Sequence, residues 1–165
     1  MKFSNALRSL FFSWDLWLAV IVMTLILVFA PNKIGLIFSK DILGISISVL
    51  SIIFAVFFAA LAILITAGDN EFIRFLEEDG SFSRIIWTFR VTLMLLFVAL
   101  LSSIVLYVVI SQYSDIPGCY YVPKWLFLIY AFLSSYALFA TGNSTLDAVK
   151  YAELRARFLK VTREK

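Results

Sequence analysis

Small and weakly polar residues recur at helical spacing inside one of the most apolar stretches of the chain. Steps of three or four residues separate Gly44, Ser48, Ser51, Ala55, Ala59, Ala62 and Thr66. At about 100° per residue, these seven positions fall within about 80° of a helix circumference. We call them the small-residue face. A face of this kind allows close approach of another helix or contact with water inside a bilayer.

Two interpretations of the small-residue face remain open from the sequence. In the first, small side chains let helix backbones pack closely, with modest hydrogen bonds from the hydroxyl groups. In the second, several copies of the helix surround a narrow path lined by Ser48, Ser51, Ala55, Ala59, Ala62 and Thr66. The methyl groups of Ala55 and Ala59 would then form an apolar ring that gates by dewetting. Both hold if copies pack around an axis.

A second group of residues suggests anion binding on the cytosolic side. This basic set consists of Arg84, Arg90, Lys150, Arg155, Arg157 and Lys160. It predicts a contact with a protein partner or with a nucleic-acid or nucleotide ligand; the alternative is a topology signal beside anionic lipid. Helical spacing puts Lys150 and Arg157 on one face and Arg155 off it, so the surface needs more than one helix or subunit.

Arg90 lies within an apolar run, where an unpaired charge is costly. Three explanations compete for it: snorkelling to the membrane surface, pairing with the acidic residues of 71–79, and binding an anion.

The composition is that of a membrane protein. Hydrophobic residues make up 62% of the chain and charged residues 15%, with a mean hydropathy of +0.98. Soluble domains are about 45–50% apolar and about 25% charged. We therefore predict an all-α integral membrane protein of four helices, with short interfacial helices and a cytosolic C-terminal helix. The predicted spans are 14–30, 42–67, 84–110 and 124–141.

The predicted domains are a transmembrane domain over 1–141 and a basic helical tail over 142–165, with a new helix starting near Ser144. Segments 1–13 and 69–79 are expected to lie as amphipathic helices at the membrane surface, with a signal peptide as the alternative for the first. The loop 31–42 is expected to dip into the interface.

Two individual residues each allow more than one interpretation of their role. Asp15 is expected to favour the start of the first helix, with a proton or ion site as the other interpretation. Cys119 is interpreted as a lone thiol, with an intersubunit disulfide as the alternative.

Basic residues predict the orientation. With four spans, eleven Lys and Arg residues fall on the side of the two tails and the middle loop, against Lys33, Lys40 and Lys124 on the other side. Because basic residues favour the cytoplasm, both termini are predicted to be cytoplasmic in a multi-pass protein of the cell inner membrane.

Several kinds of chemistry are disfavoured. The chain has no histidine and one cysteine, which excludes a histidine metal site, a histidine base and an intrachain disulfide. No nucleophile–base pair or phosphate-binding loop is recognisable, so we expect neither an enzyme nor a cofactor. The absence of an internal repeat also disfavours a carrier.

In layout, the chain resembles the small four-span membrane subunits of bacterial antiphage systems. It shares short tails, four predicted helices, a charged cytosolic segment and no enzymatic domain with the channel effector of Hailong-type systems and the membrane sensor of Kiwa-type systems. The resemblance implies a homo-oligomeric channel that a cytosolic nucleic-acid ligand or partner keeps shut until infection. The expected function is therefore a cytosolically gated, tetrameric ion channel; the alternative is a non-conducting sensor or adaptor.

Overall fold

The chain is predominantly helical. A computed structural model describes residues 14–31, 33–66, 70–78, 80–114 and 121–163. Within them the helices are α1 (Trp14–Phe29), α2 (Leu36–Thr66), α3 (Asn70–Glu78), α4 (Ser81–Ser114) and α5 (Lys124–Arg163), and the strands are β1 (Lys33–Gly35) and β2 (Tyr121–Pro123). The predictions for segment 1–13 and for Cys119 lie outside the described residues.

Three helices are long and apolar enough to cross a membrane: Leu36–Thr66, Ser81–Tyr113 and Lys124–Phe158. The prediction of an all-α fold is therefore confirmed, and the three helices are compatible with the predicted membrane protein. The remaining predicted span, 14–30, corresponds to α1, a shorter apolar helix of 16 residues. Large apolar side chains on the outer surface, such as Ile52, Val56 and Phe58, are exposed, as expected for helices that face lipid.

The four apolar helices form an open row. α2 packs on α4, α4 packs on α5, and α5 packs on α1, while no comparable contact joins α1 with α2 within the described ranges. The main core lies between α2, α4 and α5 and includes Leu50, Phe57, Leu96 and Ala137. One side of α2 is consequently left at the edge of the row.

A short β-ribbon defines one end of the row. β1 pairs with β2 in antiparallel register, with Ile34 opposite Val122. The segments between α1 and α2 and between α4 and α5 therefore meet at this end, which we call the ribbon side. The opposite end, with α3 and the last turns of α5, is the tail side.

The prediction of a loop over 31–42 is wrong, because α2 already begins at Leu36. Burial of the side chains of Leu36, Ser39 and Leu43 stabilises the first turns of this helix.

α1 is fastened to α5 at both of its ends. The Lys124 ammonium donates hydrogen bonds to the carbonyl oxygens of Leu27 at 2.8 Å and Ala30 at 2.7 Å, near the end of α1. At its start, the Asn143 amide donates to Asp15 at 3.2 Å. α1 thus runs antiparallel to segment 124–143.

The predicted helix start near Ser144 is wrong, because α5 continues through Gly142 to Arg163. A glycine in a helix interior costs only about 1 kcal/mol. Burial of Ala140 and Ser144 on either side of it outweighs that cost. The basic tail is therefore a continuation of the fourth apolar helix.

The predicted surface helix at 69–79 does form, as α3, but its apolar side is covered by the chain itself. Phe72 is 1% exposed and Leu76 is 5% exposed. The ring of Phe72 lies 5.4 Å from that of Tyr151 and 5.4 Å from that of Phe158, while Phe82 lies 6.5 Å from Tyr151. We call Phe72, Leu76, Phe82, Tyr151 and Phe158 the tail cluster. It joins α3, the start of α4 and the end of α5.

The apolar length of the helices decreases along the row. We measured the stretch of each helix that lacks charged residues, Asn and Gln: 42–66 in α2, 91–111 in α4, 125–142 in α5 and 16–29 in α1. At about 1.5 Å per residue, these stretches are about 37, 31, 27 and 21 Å long. The row is therefore tapered from α2 to α1.

Gly80 closes the turn between α3 and α4 with a φ of 65°. We expect Gly80→Ala to lower the free energy of unfolding by about 1–2 kcal/mol, because a Cβ is unfavourable in the left-handed region. An added Cβ would meet nothing within 4 Å, so the cost is confined to the backbone.

The matched control is Gly142→Ala, which also meets nothing within 4 Å. Because Gly142 lies inside α5, alanine there should stabilise the protein by about 0.5–1 kcal/mol. Reversible unfolding in mixed micelles measures both changes. Equal effects of the two substitutions would contradict the assigned backbone conformations.

Candidate functional site

Most of the small-residue face lies on a side of α2 that the described residues leave uncovered. The side chains of α2 that contact α4 recur every seven residues, at Leu43, Leu50, Phe57 and Leu64. The small-residue face is about 150° around the helix from this seam. Ser48, Ala55, Ala59, Ala62 and Thr66 are exposed, and Gly44 and Ser51 are half-buried. A Cβ on Gly44 would lie 3.9 Å from the Tyr107 side chain of α4. Packing within the described part of the chain therefore does not account for the exposed residues of this face.

The hydroxyl groups of the small-residue face donate to their own helix. Ser48 donates to the Gly44 carbonyl at 3.1 Å, Ser51 to the Ile47 carbonyl at 2.7 Å, and Thr66 to the Ala62 carbonyl at 2.9 Å. Each hydroxyl proton thereby has an acceptor, which lowers the free-energy cost of placing the hydroxyl group in apolar surroundings. The remaining lone pairs can accept hydrogen bonds from water or contact a cation.

Close packing of small residues occurs instead between α4 and α5. Ala99 and Ser103 on α4 and Ala137 and Ser144 on α5 are all fully buried, and Thr92 is nearly so. Small side chains let helices approach in a bilayer, where hydrophobicity alone does not drive association. The buried small residues of α4 and α5 thus serve packing between these two helices, whereas most of the small-residue face of α2 is exposed.

A buried hydrogen bond joins these two helices at the tail side. The hydroxyl groups of Thr92 and Ser144 are 2.6 Å apart. We expect the single substitutions Thr92→Val and Ser144→Ala each to destabilise the fold, because each leaves one buried hydroxyl unpaired. The double variant should recover part of the loss, with a coupling energy of about 0.6–1.7 kcal/mol.

A double-mutant cycle on the free energy of unfolding measures this coupling. Ser48→Ala is the matched control, because Ser48 is exposed and bonds only within its own helix. Strict additivity of the two substitutions would show that the two hydroxyl groups do not stabilise each other.

The basic set is divided between two helices. Arg84 and Arg90 are exposed on α4, and Lys150, Arg157 and Lys160 are exposed on α5, whereas Arg155 is half-buried. Lys150 pairs with Asp147 at 3.3 Å, and its side chain remains 72% exposed, so this ion pair contributes little to stability. The fold does not gather the six residues into one pocket within a single chain.

Sequence reasoning missed three buried hydroxyl groups. Those of Tyr130, Ser134 and Tyr151 have no hydrogen-bond partner among the described residues. All three lie on α5. Hydroxyl groups of this kind are normally completed by water or by a partner group.

The observed helices define a class: a helical protein with three segments suited to crossing a membrane. The chain matches no protein-family model, no curated protein and no solved structure. Within the described part of the chain, no group of three metal-ligating side chains occurs.

Proposed function

We propose that the chain forms a homo-oligomeric ion channel that is gated from the cytosolic side. The observation that carries the proposal is the position of the small-residue face, which is exposed at the edge of an open row. An interface between copies would bury this face, and copies arranged around an axis would surround a path lined by it. We propose four copies, four membrane spans and cytoplasmic termini, with the tail side in the cytoplasm.

The chemistry of the small-residue face supports conduction of cations. Ser48, Ser51 and Thr66 use their protons on backbone carbonyls, so their lone pairs would point towards the path. Oxygen lone pairs favour cations over anions, while Ala55 and Ala59 between them form an apolar constriction. The proposed path is therefore narrow, uncharged and selective for small cations.

The tail cluster supports cytosolic gating. α3 follows α2 after 67–69 and is held against the end of α5 by Phe72, Tyr151 and Phe158. A ligand or partner that moves the end of α5 would therefore move α3 and, through the chain, the tail-side end of α2. The basic set on α5 is the proposed receiver of an anionic ligand, such as a nucleic acid or a nucleotide.

The test is ion flux into liposomes that contain the purified full chain. We expect a potassium flux above that of protein-free vesicles, a reversal potential that favours potassium over chloride, and a response to cytosolic anionic ligands that Arg157→Glu with Lys160→Glu alters. Absence of flux in an oligomeric, folded preparation under every ligand condition would contradict the channel proposal.

The exposed surface of the tail favours a second function. Leu146 and Val149 are exposed on α5 beside Lys150, Arg157 and Lys160. Exposed apolar side chains bordered by charge are typical of protein interaction surfaces. The second candidate is a non-conducting sensor or adaptor subunit. Binding of a cytosolic partner without ion flux would support this candidate.

An antiphage role, either as effector or as sensor, is the biological setting that the layout suggests.

A further inference from the structure

A groove on the outer surface of α4 combines apolar side chains with one arginine. It has a volume of about 360 Å³ and is lined by Trp87, Arg90, Val91, Met94, Leu95 and Val98. We call it the Arg90 groove. Trp87, Val91 and Leu95 form one ridge at four-residue spacing, and Arg90, Met94 and Val98 form the next. The groove between them is open at the surface of the row, opposite the side of α4 that packs on its neighbours.

The end of the groove at Arg90 is cationic. Arg90 is exposed, and among the described residues no carboxylate lies within ion-pair distance of it. The explanation that it pairs with acidic residues of 71–79 therefore has no support from the described part of α3. A guanidinium group in this state is free to form paired hydrogen bonds with a phosphate.

The depth of Arg90 matches that of a lipid headgroup. Thr92 bonds to Ser144, and the adjacent Asn143 bonds to Asp15. Asp15 lies between Trp14 and Trp17, and all three tail-side tryptophans, including Trp87, are exposed. Exposed tryptophans mark the boundary between the hydrocarbon core and the headgroups. Arg90 therefore lies at this boundary, and the groove extends about 12 Å from it towards Val98.

The side chains of the groove favour an acyl chain over another helix. Trp87, Met94 and Leu95 are bulky, so a second backbone cannot approach α4 as it could approach the small-residue face. Methionine also adapts to irregular apolar ligands. An apolar partner helix would leave Arg90 without a counter-charge, whereas an anionic lipid supplies both the charge and the chain.

We propose that the Arg90 groove binds one anionic phospholipid, with the phosphate on Arg90 and an acyl chain between the two ridges. This inference is independent of the channel proposal, because a non-conducting protein would carry the same groove.

The test compares phosphatidylglycerol with phosphatidylcholine of identical acyl chains, bound to the full chain in detergent and counted by native mass spectrometry. We expect one phosphatidylglycerol per protomer to be retained preferentially. Arg90→Gln should weaken its retention about tenfold, the loss typical of a charge-assisted hydrogen bond. Val98→Phe should weaken it by filling the groove while leaving Arg90 in place.

Arg74→Gln is the matched control, because Arg74 is an exposed arginine on α3 outside the groove and should leave retention unchanged. Equal loss in both arginine variants would overturn the proposal in favour of general charge attraction. Equal retention of both lipids would overturn it, as would displacement by inorganic phosphate at matched ionic strength. A smaller oligomer in Val98→Phe would identify a second copy as the occupant and would also overturn it.

Discussion

Ala59→Phe is expected to reduce ion flux to the level of protein-free vesicles without changing the size of the oligomer. Ala59 is exposed on the small-residue face and lies outside the seam that contacts α4. In the proposed channel, a ring at this position occludes the narrowest part of the path. Ala59→Ser should have the opposite effect and raise the leak, because a hydroxyl group wets an apolar constriction.

The control for this pair is Val56→Phe. Val56 is 64% exposed on α2 but lies outside the small-residue face, so an added ring there should leave flux unchanged. If the face serves only to pack copies together, Ala59→Phe will instead separate the oligomer, since a bulky ring prevents close backbone contact. Separation of the oligomer, together with no effect of Ala59→Ser on flux, would show that α2 does not line the conduction path.

Phe72→Ala is expected to detach α3 from the end of α5. Phe72 is 1% exposed and contacts the rings of Tyr151 and Phe158, so its truncation should cost about 3–5 kcal/mol of packing free energy. Amide hydrogen exchange should accelerate in 70–78 and in the last turns of α5, while segments 91–111 and 125–142 remain protected. In the proposed channel, the same variant should lose its response to cytosolic ligands.

Phe58→Ala is the matched truncation, because Phe58 is 61% exposed on α2 and makes few contacts to lose. It should leave hydrogen exchange in α3 unchanged. Unchanged exchange in α3 after Phe72→Ala as well would show that α3 is held by something other than the tail cluster.

The long helices could be predicted from sequence because their signal is local. Segments 42–67 and 84–110 are apolar over lengths that only a membrane or a large core accommodates, and helix is the state that satisfies every backbone group there. The structure extends both segments, to α2 and α4, by turns whose residues are less apolar. These extensions depend on burial of Leu36 and Phe82 against distant elements, which no local pattern reveals.

Partners of amphipathic surfaces could not be predicted. The apolar side of 69–79 fits a membrane surface and a protein surface equally well, and the structure pairs Phe72 with Tyr151, 79 positions further along the chain. The predicted helix start near Ser144 is wrong for the same reason, since the hydrogen bond between Ser144 and Thr92 joins residues that are far apart in the sequence. Spacing located the small-residue face, but only the packing of α2 on α4 shows that it is uncovered.

The tapered row has a mechanical consequence for the surrounding bilayer. α2 has an apolar length of about 37 Å, which exceeds a hydrocarbon core of about 30 Å, and α1 falls short of it at about 21 Å. Because α2 is packed on α4 along its length, it cannot tilt alone to remove the mismatch. In the proposed four-span arrangement, lipids beside α2 would stretch and lipids beside α1 would compress, at a fraction of a kcal/mol for each ångström.

If copies joined through α2, the stretched lipids beside α2 would be displaced into the bulk bilayer. Only the compressed lipids beside α1 would then remain around the assembly. The elasticity of the bilayer would thus favour the same interface as the small side chains do, even before any contact between copies forms. It would also draw such assemblies towards thinner regions of membrane.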